Sequence, residues 1–167
     1  MDLEERVRRA SAGDREAFRE LYEEFAEMVY RACWAAVMDK ETAKDLFQEV
    51  WLKVYLGLPR LREPRKFPAW LKTLVHRTVL DHLRGKEKGE TISLTEGPEP
   101  VTRDLANKLE ARELLKLLSP KERYVFYLRY FEGLSVKEIA AQLGLSLSAV
   151  KMTLHRGTKK LRRNLET

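Results

Sequence analysis

LSVKEIAAQLGLSLSAVKMTLHRGTKKLRR, residues Leu134 to Arg163, is the stretch that decides the fold. Ser135 with Glu138 three residues on makes a capping box, and Leu134 and Ile139 have the spacing of a hydrophobic staple. The helix so started presents Ile139, Ala140 and Leu143 on one face and stops at Gly144, a residue suited to a left-handed terminator. Ser146 restarts a helix, with Leu145 and Val150 as a second staple. Val150, Leu154, Gly157 and Leu161 then fall on one stripe at helical spacing. The opposite face carries Ser148, Lys151, Met152, His155, Arg156 and Lys159. A short brace helix, a glycine turn and a basic second helix form the layout of a DNA-reading helix-turn-helix. The competing reading is a helical hairpin with a solvated charged face, but paired caps and staples around a glycine turn are uncommon by chance.

Outward from this motif the pattern stays helical. Ser119-Pro120 with Glu122 signals a helix start with proline at its first position, and the helix of residues 120–131 leads into the motif. Toward the N-terminus, residues 4–84 show nearly unbroken helical periodicity. Asp14 can cap a helix in which Phe18, Leu21, Tyr22, Phe25 and Val29 recur at three- and four-residue steps. A second helix is expected over 40–56, with Ala43, Leu46, Phe47, Val50, Trp51 and Val54 inward. Pro59, Pro64 and Pro68 punctuate the next stretch, and a third helix is expected over 69–84. No stretch of convincing length alternates with period two. Residues 85–103 hold glycines, prolines, Thr and Ser without an apolar stripe and read as a flexible linker. Fully extended, such a tether reaches about 70 Å. The expected architecture is all-α: a domain over 1–85, a linker over 86–104, and a helix-turn-helix domain over 105–167.

The 167-residue chain carries 32 Lys and Arg against 26 Asp and Glu, an excess that suits a nucleic-acid partner without specifying one. Cys33 is the single cysteine, which excludes an internal disulfide and fits a reducing compartment. No apolar run is long enough to span a bilayer, and the charged N-terminal residues lack a signal-peptide core. These features predict a soluble intracellular protein. His76, His82 and His155 have no Cys or second His at a metal-ligand spacing. P-loop, nucleophile-elbow and dinucleotide fingerprints are lacking. No catalytic residue, metal, cofactor or small-molecule substrate is therefore expected.

Three blocks together resemble the bacterial RNA polymerase sigma factors of the extracytoplasmic-function group. They are Gly13–Phe25 with Asp45–Tyr55, Phe67–Arg84, and Leu118–Arg162. The resemblance implies a cytoplasmic factor of the bacterial nucleoid that binds core RNA polymerase and promoter DNA. It also implies an anti-sigma protein that could hold the factor at the membrane without membrane insertion of the chain itself. The N-terminal domain would bind a coiled coil of the largest polymerase subunit, open the promoter and capture minus-ten bases. The C-terminal domain would read the minus-thirty-five element as duplex and touch the flap of the other large subunit.

Three residue sets are then expected. Asp45, Gln48, Glu49, Leu52 and Lys53 match the polymerase-binding segment, an acidic and amide-bearing face suited to a basic coiled coil. Lys66, Phe67, Trp70, Lys72, His76, Arg77 and Arg84 offer rings and cations for unstacked minus-ten bases, although Trp70 alone reads better as core. Relatives often carry Arg-Asn where this chain has His76-Arg77, which leaves the captured base open. Ser146, Ser148, Lys151, Met152, His155, Arg156 and Lys159 are the minus-thirty-five set. Many relatives carry Ser-Arg where this chain has Met152-Thr153, so altered upstream specificity is expected, and exchanging the pair should change it. The alternatives are an independent helix-turn-helix regulator, a sigma-like adapter that does not open promoters, and a recombinase. The last would need a strand-rich domain with a reactive serine, for which residues 1–104 give no sign.

Overall fold

The computed structural model describes residues 1–87 and 113–165, and these residues fold into helices and turns without strands. In order they are α1 (Leu3–Ser11), α2 (Arg15–Val37), α3 (Lys40–Gly57), α4 (Phe67–Glu87), α5 (Pro120–Phe126, continued by a π-helical turn Tyr127–Phe131), α6 (Val136–Leu143) and α7 (Leu147–Leu165). Two 3-10 turns, Leu58–Arg60 and Pro64–Lys66, each with a proline near the start, join α3 to α4. Most helix starts show the chemistry that places them. Asp2, Asp14 and Asp39 accept backbone N–H bonds from the first turns of α1, α2 and α3. Ser119 and Ser135 form complete capping boxes with Glu122 and Glu138. Ser146 Oγ accepts from Ala149 N at 3.0 Å to start α7. Gly144, at φ +65°, ends α6 in the left-handed conformation that a glycine adopts without strain.

The N-terminal domain buries α2 against α3 through a run of edge-to-face rings, Phe18, Tyr22, Phe47 and Trp51, with Val29, Leu46, Val50 and Val54 beneath them. The C-terminal domain packs α5 against α7, and α6 against α7, with Ile139, Leu143 and Val150 fully inside. The π-helical turn widens the end of α5 and leaves Tyr130 and Phe131 exposed.

The third expected helix begins two residues before Ala69 and runs three past Arg84, so 85–87 are helical rather than linker. Of the linker over 86–104, residues 88–104 lie outside the described residues. The two domains are in contact: α5 lies against α2 and α4, and α6 against α4. A tethered pair need not touch, and sequence periodicity does not encode this contact.

Gly157 explains how α5 and α7 approach. A Cβ at this position would collide with the Phe126 ring, itself nearly buried. Gly157→Ala gains up to about 1 kcal/mol of helix propensity but overpacks the core by ~1–3 kcal/mol. A net loss of thermal stability is expected, and a melting temperature at or above that of the unchanged chain would show that Phe126 yields freely.

Candidate nucleic-acid and polymerase interface

On α7, Ser148, Lys151, Met152, His155, Arg156 and Lys159 are all exposed on one side, while Val150 and Gly157 are buried on the other. This face could enter a major groove with three cations, a histidine and an apolar thioether presented together. Ser146 is exposed but serves as the helix cap. Thr153 is buried and its hydroxyl donates to Ala149 O at 2.8 Å, so it faces the core and not DNA. Of the Met152-Thr153 pair, only Met152 is placed to alter specificity. Lys160 is exposed but tied to α5, its Nζ donating to the buried Glu122 Oε1 at 2.6 Å. Burial raises the Glu122 carboxyl, but the Lys160 ammonium and the Ser119 cap outweigh it and hold the group below its ordinary range.

Along α4 the expected minus-ten set divides. Lys66, Lys72, Arg77 and Arg84 are exposed, with Lys66 3.2 Å from Glu63. Phe67 is wholly buried, its ring meeting Phe25 and Trp70, so the expectation that it presents a surface to bases is corrected. Pro64–Lys66 turns the chain so that Phe67 starts α4 from inside the core. Trp70 is half-buried against the end of α3, where a Cβ on Gly57 would lie 3.0 Å from its ring.

His76 is also corrected as a surface group. It is 6% exposed because the C-terminal domain covers it, and its Nδ1 lies 2.5 Å from the Tyr124 hydroxyl. Burial lowers its pKa to about 4, and Lys72 adds to the lowering, while Gln142 and Glu132 oppose it. The ring is therefore neutral near pH 7. Sequence reading missed Arg60, Arg62 and Arg65, exposed cations in the turns that precede α4. The signal was present in the basic run over 60–66.

On α3, Asp45, Gln48, Glu49 and Leu52 share an exposed side. Lys53 is half-buried and directed back to its own domain, with Nζ 3.1 Å from Glu49 Oε1 and donating to Thr78 Oγ1 at 3.3 Å. Tyr55 and Leu56, not expected as site residues, are exposed beside Leu52. Three large apolar groups on one turn of a helix form a patch suited to a partner. Among the described residues, no group of three or more His, Cys, Asp or Glu is placed to hold a metal ion, and no helix is long and apolar enough to cross a membrane.

An exposed basic face on α7, cations along α4 and an acidic-apolar face on α3 are the features of a helical DNA-binding factor. Residues 21–89 match the family model for sigma-70 region 2, and residues 108–161 that for sigma-70 region 4. The sigma factor YlaC of Bacillus subtilis is 32% identical over 90% of this chain and 93% of that protein. BldN, an ECF RNA polymerase sigma factor of Streptomyces coelicolor, is 30% identical over 96% of this chain, which spans 65% of BldN. The fold is similar to that of the sigma factor RpoE of Bartonella quintana, solved in complex with the anti-sigma factor NepR. That match has a TM-score of 0.63 at 18% identity, covering 90% of this chain and 97% of RpoE. The chain belongs to the sigma-70 family of RNA polymerase sigma factors, in its ECF group.

Proposed function

We propose that this sigma factor reads the upstream promoter element with Ser148, Lys151, Met152, His155, Arg156 and Lys159, and holds the opened downstream element along α4. The carrying observation is the single exposed face of α7 in a helix-turn-helix whose caps and turn fix its angle. Lys72, Arg77 and Arg84, with the cations of the preceding turns, supply a phosphate path for a separated strand. The α3 face of Asp45, Gln48, Glu49, Leu52, Tyr55 and Leu56 is the docking side for core polymerase. Catalysis then belongs to the polymerase, and the factor itself is not an enzyme. It works in the cytoplasm at the nucleoid, and an anti-sigma protein, as RpoE has in NepR, is its third expected partner.

Run-off transcription with core polymerase on a randomised promoter library tests this reading. A core-dependent enrichment of paired upstream and downstream elements is expected. Arg156→Ala should weaken upstream-dependent binding by ~1–3 kcal/mol, roughly 5- to 150-fold, and relax sequence preference at one position. Tight duplex binding without polymerase would instead identify an independent regulator. Polymerase binding without opening would identify an adapter.

A further inference from the structure

The two domains share one buried apolar cluster, in which Val75, Val79 and Leu83 of the first join Leu128, Ile139 and Leu143 of the second, and charged and polar groups are set into this contact. Helix α2 ends at Val37 with no basic residue in its last turn, so its terminal carbonyls lack a cation from their own helix. Arg123 of α5 supplies one, its Nη2 donating to Ala36 O at 2.9 Å across the domain boundary. The guanidinium is 2% exposed, its Nε has no partner, and no carboxylate among the described residues pairs with it. The next residue, Tyr124, is wholly buried and places its hydroxyl on His76 of α4. Two adjacent side chains of one domain thus each bind a different helix of the other.

The closed form cannot span a promoter. Elements centred near minus ten and minus thirty-five lie about 25 base pairs apart, roughly 85 Å at ~3.4 Å per step. A compact chain of this length has a radius of gyration of about 15 Å. The closure is also asymmetric: it covers His76 on the strand-holding helix, while the reading face of α7 stays exposed.

We propose that Arg123 and Tyr124 form an interdomain lock, through the Ala36 carbonyl and His76, that keeps the free sigma factor closed and unable to engage both promoter elements. A buried guanidinium with no counter-charge lowers the cost of release, since it and the Ala36 carbonyl regain water on opening, and this offsets part of the apolar surface then exposed. The lock itself stands on this geometry, and only its consequence for promoters rests on the function proposed above.

Small-angle X-ray scattering of the free full-length chain tests it, alongside the helical melt followed by circular dichroism. The unchanged chain should give a radius of gyration near that of a compact protein of its size, about 15–17 Å. Arg123→Glu places a carboxylate against the negative end of α2 and should raise that radius by about 5 Å or more. Tyr124→Phe removes one oxygen and should shift the population partway, and both variants should keep a cooperative melt. An expanded unchanged chain overturns the lock. So does an Arg123→Glu or Tyr124→Phe chain that stays as compact as the unchanged one, or loss of the cooperative melt in either variant, because a lock between domains leaves each domain folded. Transcription by Arg123→Glu with core polymerase separates the two readings: an expanded chain that no longer supports initiation would leave the lock standing and count against the promoter reading.

Discussion

A chain carrying Leu52→Asp together with Tyr55→Ala is expected to bind core polymerase at least about 100-fold more weakly than the unchanged chain, with its melting temperature almost unmoved. Leu52 is 58% exposed and Tyr55 64%, and neither belongs to the buried core. Exposed substitutions of this kind change folding stability by about 0.5 kcal/mol or less. Tyr55 does meet Phe18 edge-on at 5.7 Å, a contact at the rim of the aromatic run rather than within it. Hot spots of protein interfaces are large side chains that lose water on docking, and each can account for ~2 kcal/mol or more. Two of the three apolar groups on this turn then suffice for a hundredfold loss, which is about 2.7 kcal/mol. The introduced carboxylate adds a charge to be desolvated beside Glu49, which already carries one. A fluorescence titration of labelled sigma factor with core polymerase measures the effect, and equal affinity for the two chains would remove α3 as the docking side. Lys53→Ala, in contrast, should change polymerase affinity little, since that ammonium is engaged with Glu49 and Thr78 of its own domain.

That contrast shows where sequence reading succeeds and where it stops. Helix starts were legible because their determinants are local: Asp14, Ser119, Ser135 and Ser146 each act within three residues. The helix-turn-helix was legible for the same reason, and the exposed side of its second helix followed once Val150 and Gly157 were assigned inward. Local spacing could not distinguish Lys53 from its neighbours, because the partner that turns it inward, Thr78, lies 25 residues away. Phe67 was misplaced because an aromatic after a proline-broken turn can face either side. Only the packing of α2 decides, through Phe25. Thr153 sits one residue after an exposed Met152, and the helical angle between them, about 100°, is enough to bury it. His76 was the deepest failure, since its environment is made by another domain. No periodicity within α4 could have reported Tyr124, 48 residues on.

Acidification should open the closed form through His76. Its pKa in the closed chain is about 4, against an ordinary value near 6.5 that the ring recovers when the domains part. Between these values the open form binds more protons, so closure loses stability as the pH falls and keeps it in full above about 6.5. At pH 4.5 the loss amounts to roughly 2–3 kcal/mol. The groups facing the ring support this direction. Lys72 lies on its own helix and Tyr124 on α5, and neither can neutralise an imidazolium, while Gln142 on α6 and Glu132 beyond α5 offset the burial only in part. Glu122, held below its ordinary range, keeps its charge through most of the window and so does not mimic the effect. Scattering measured from pH 7 to 4.5 should therefore show expansion centred between the two pKa values. His76→Gln retains a hydrogen-bonding group but cannot take up a proton, and its radius should stay flat across the same range. If the unchanged chain and His76→Gln expanded together, the acid response would lie elsewhere in the protein, and His76 would be only a packed ring.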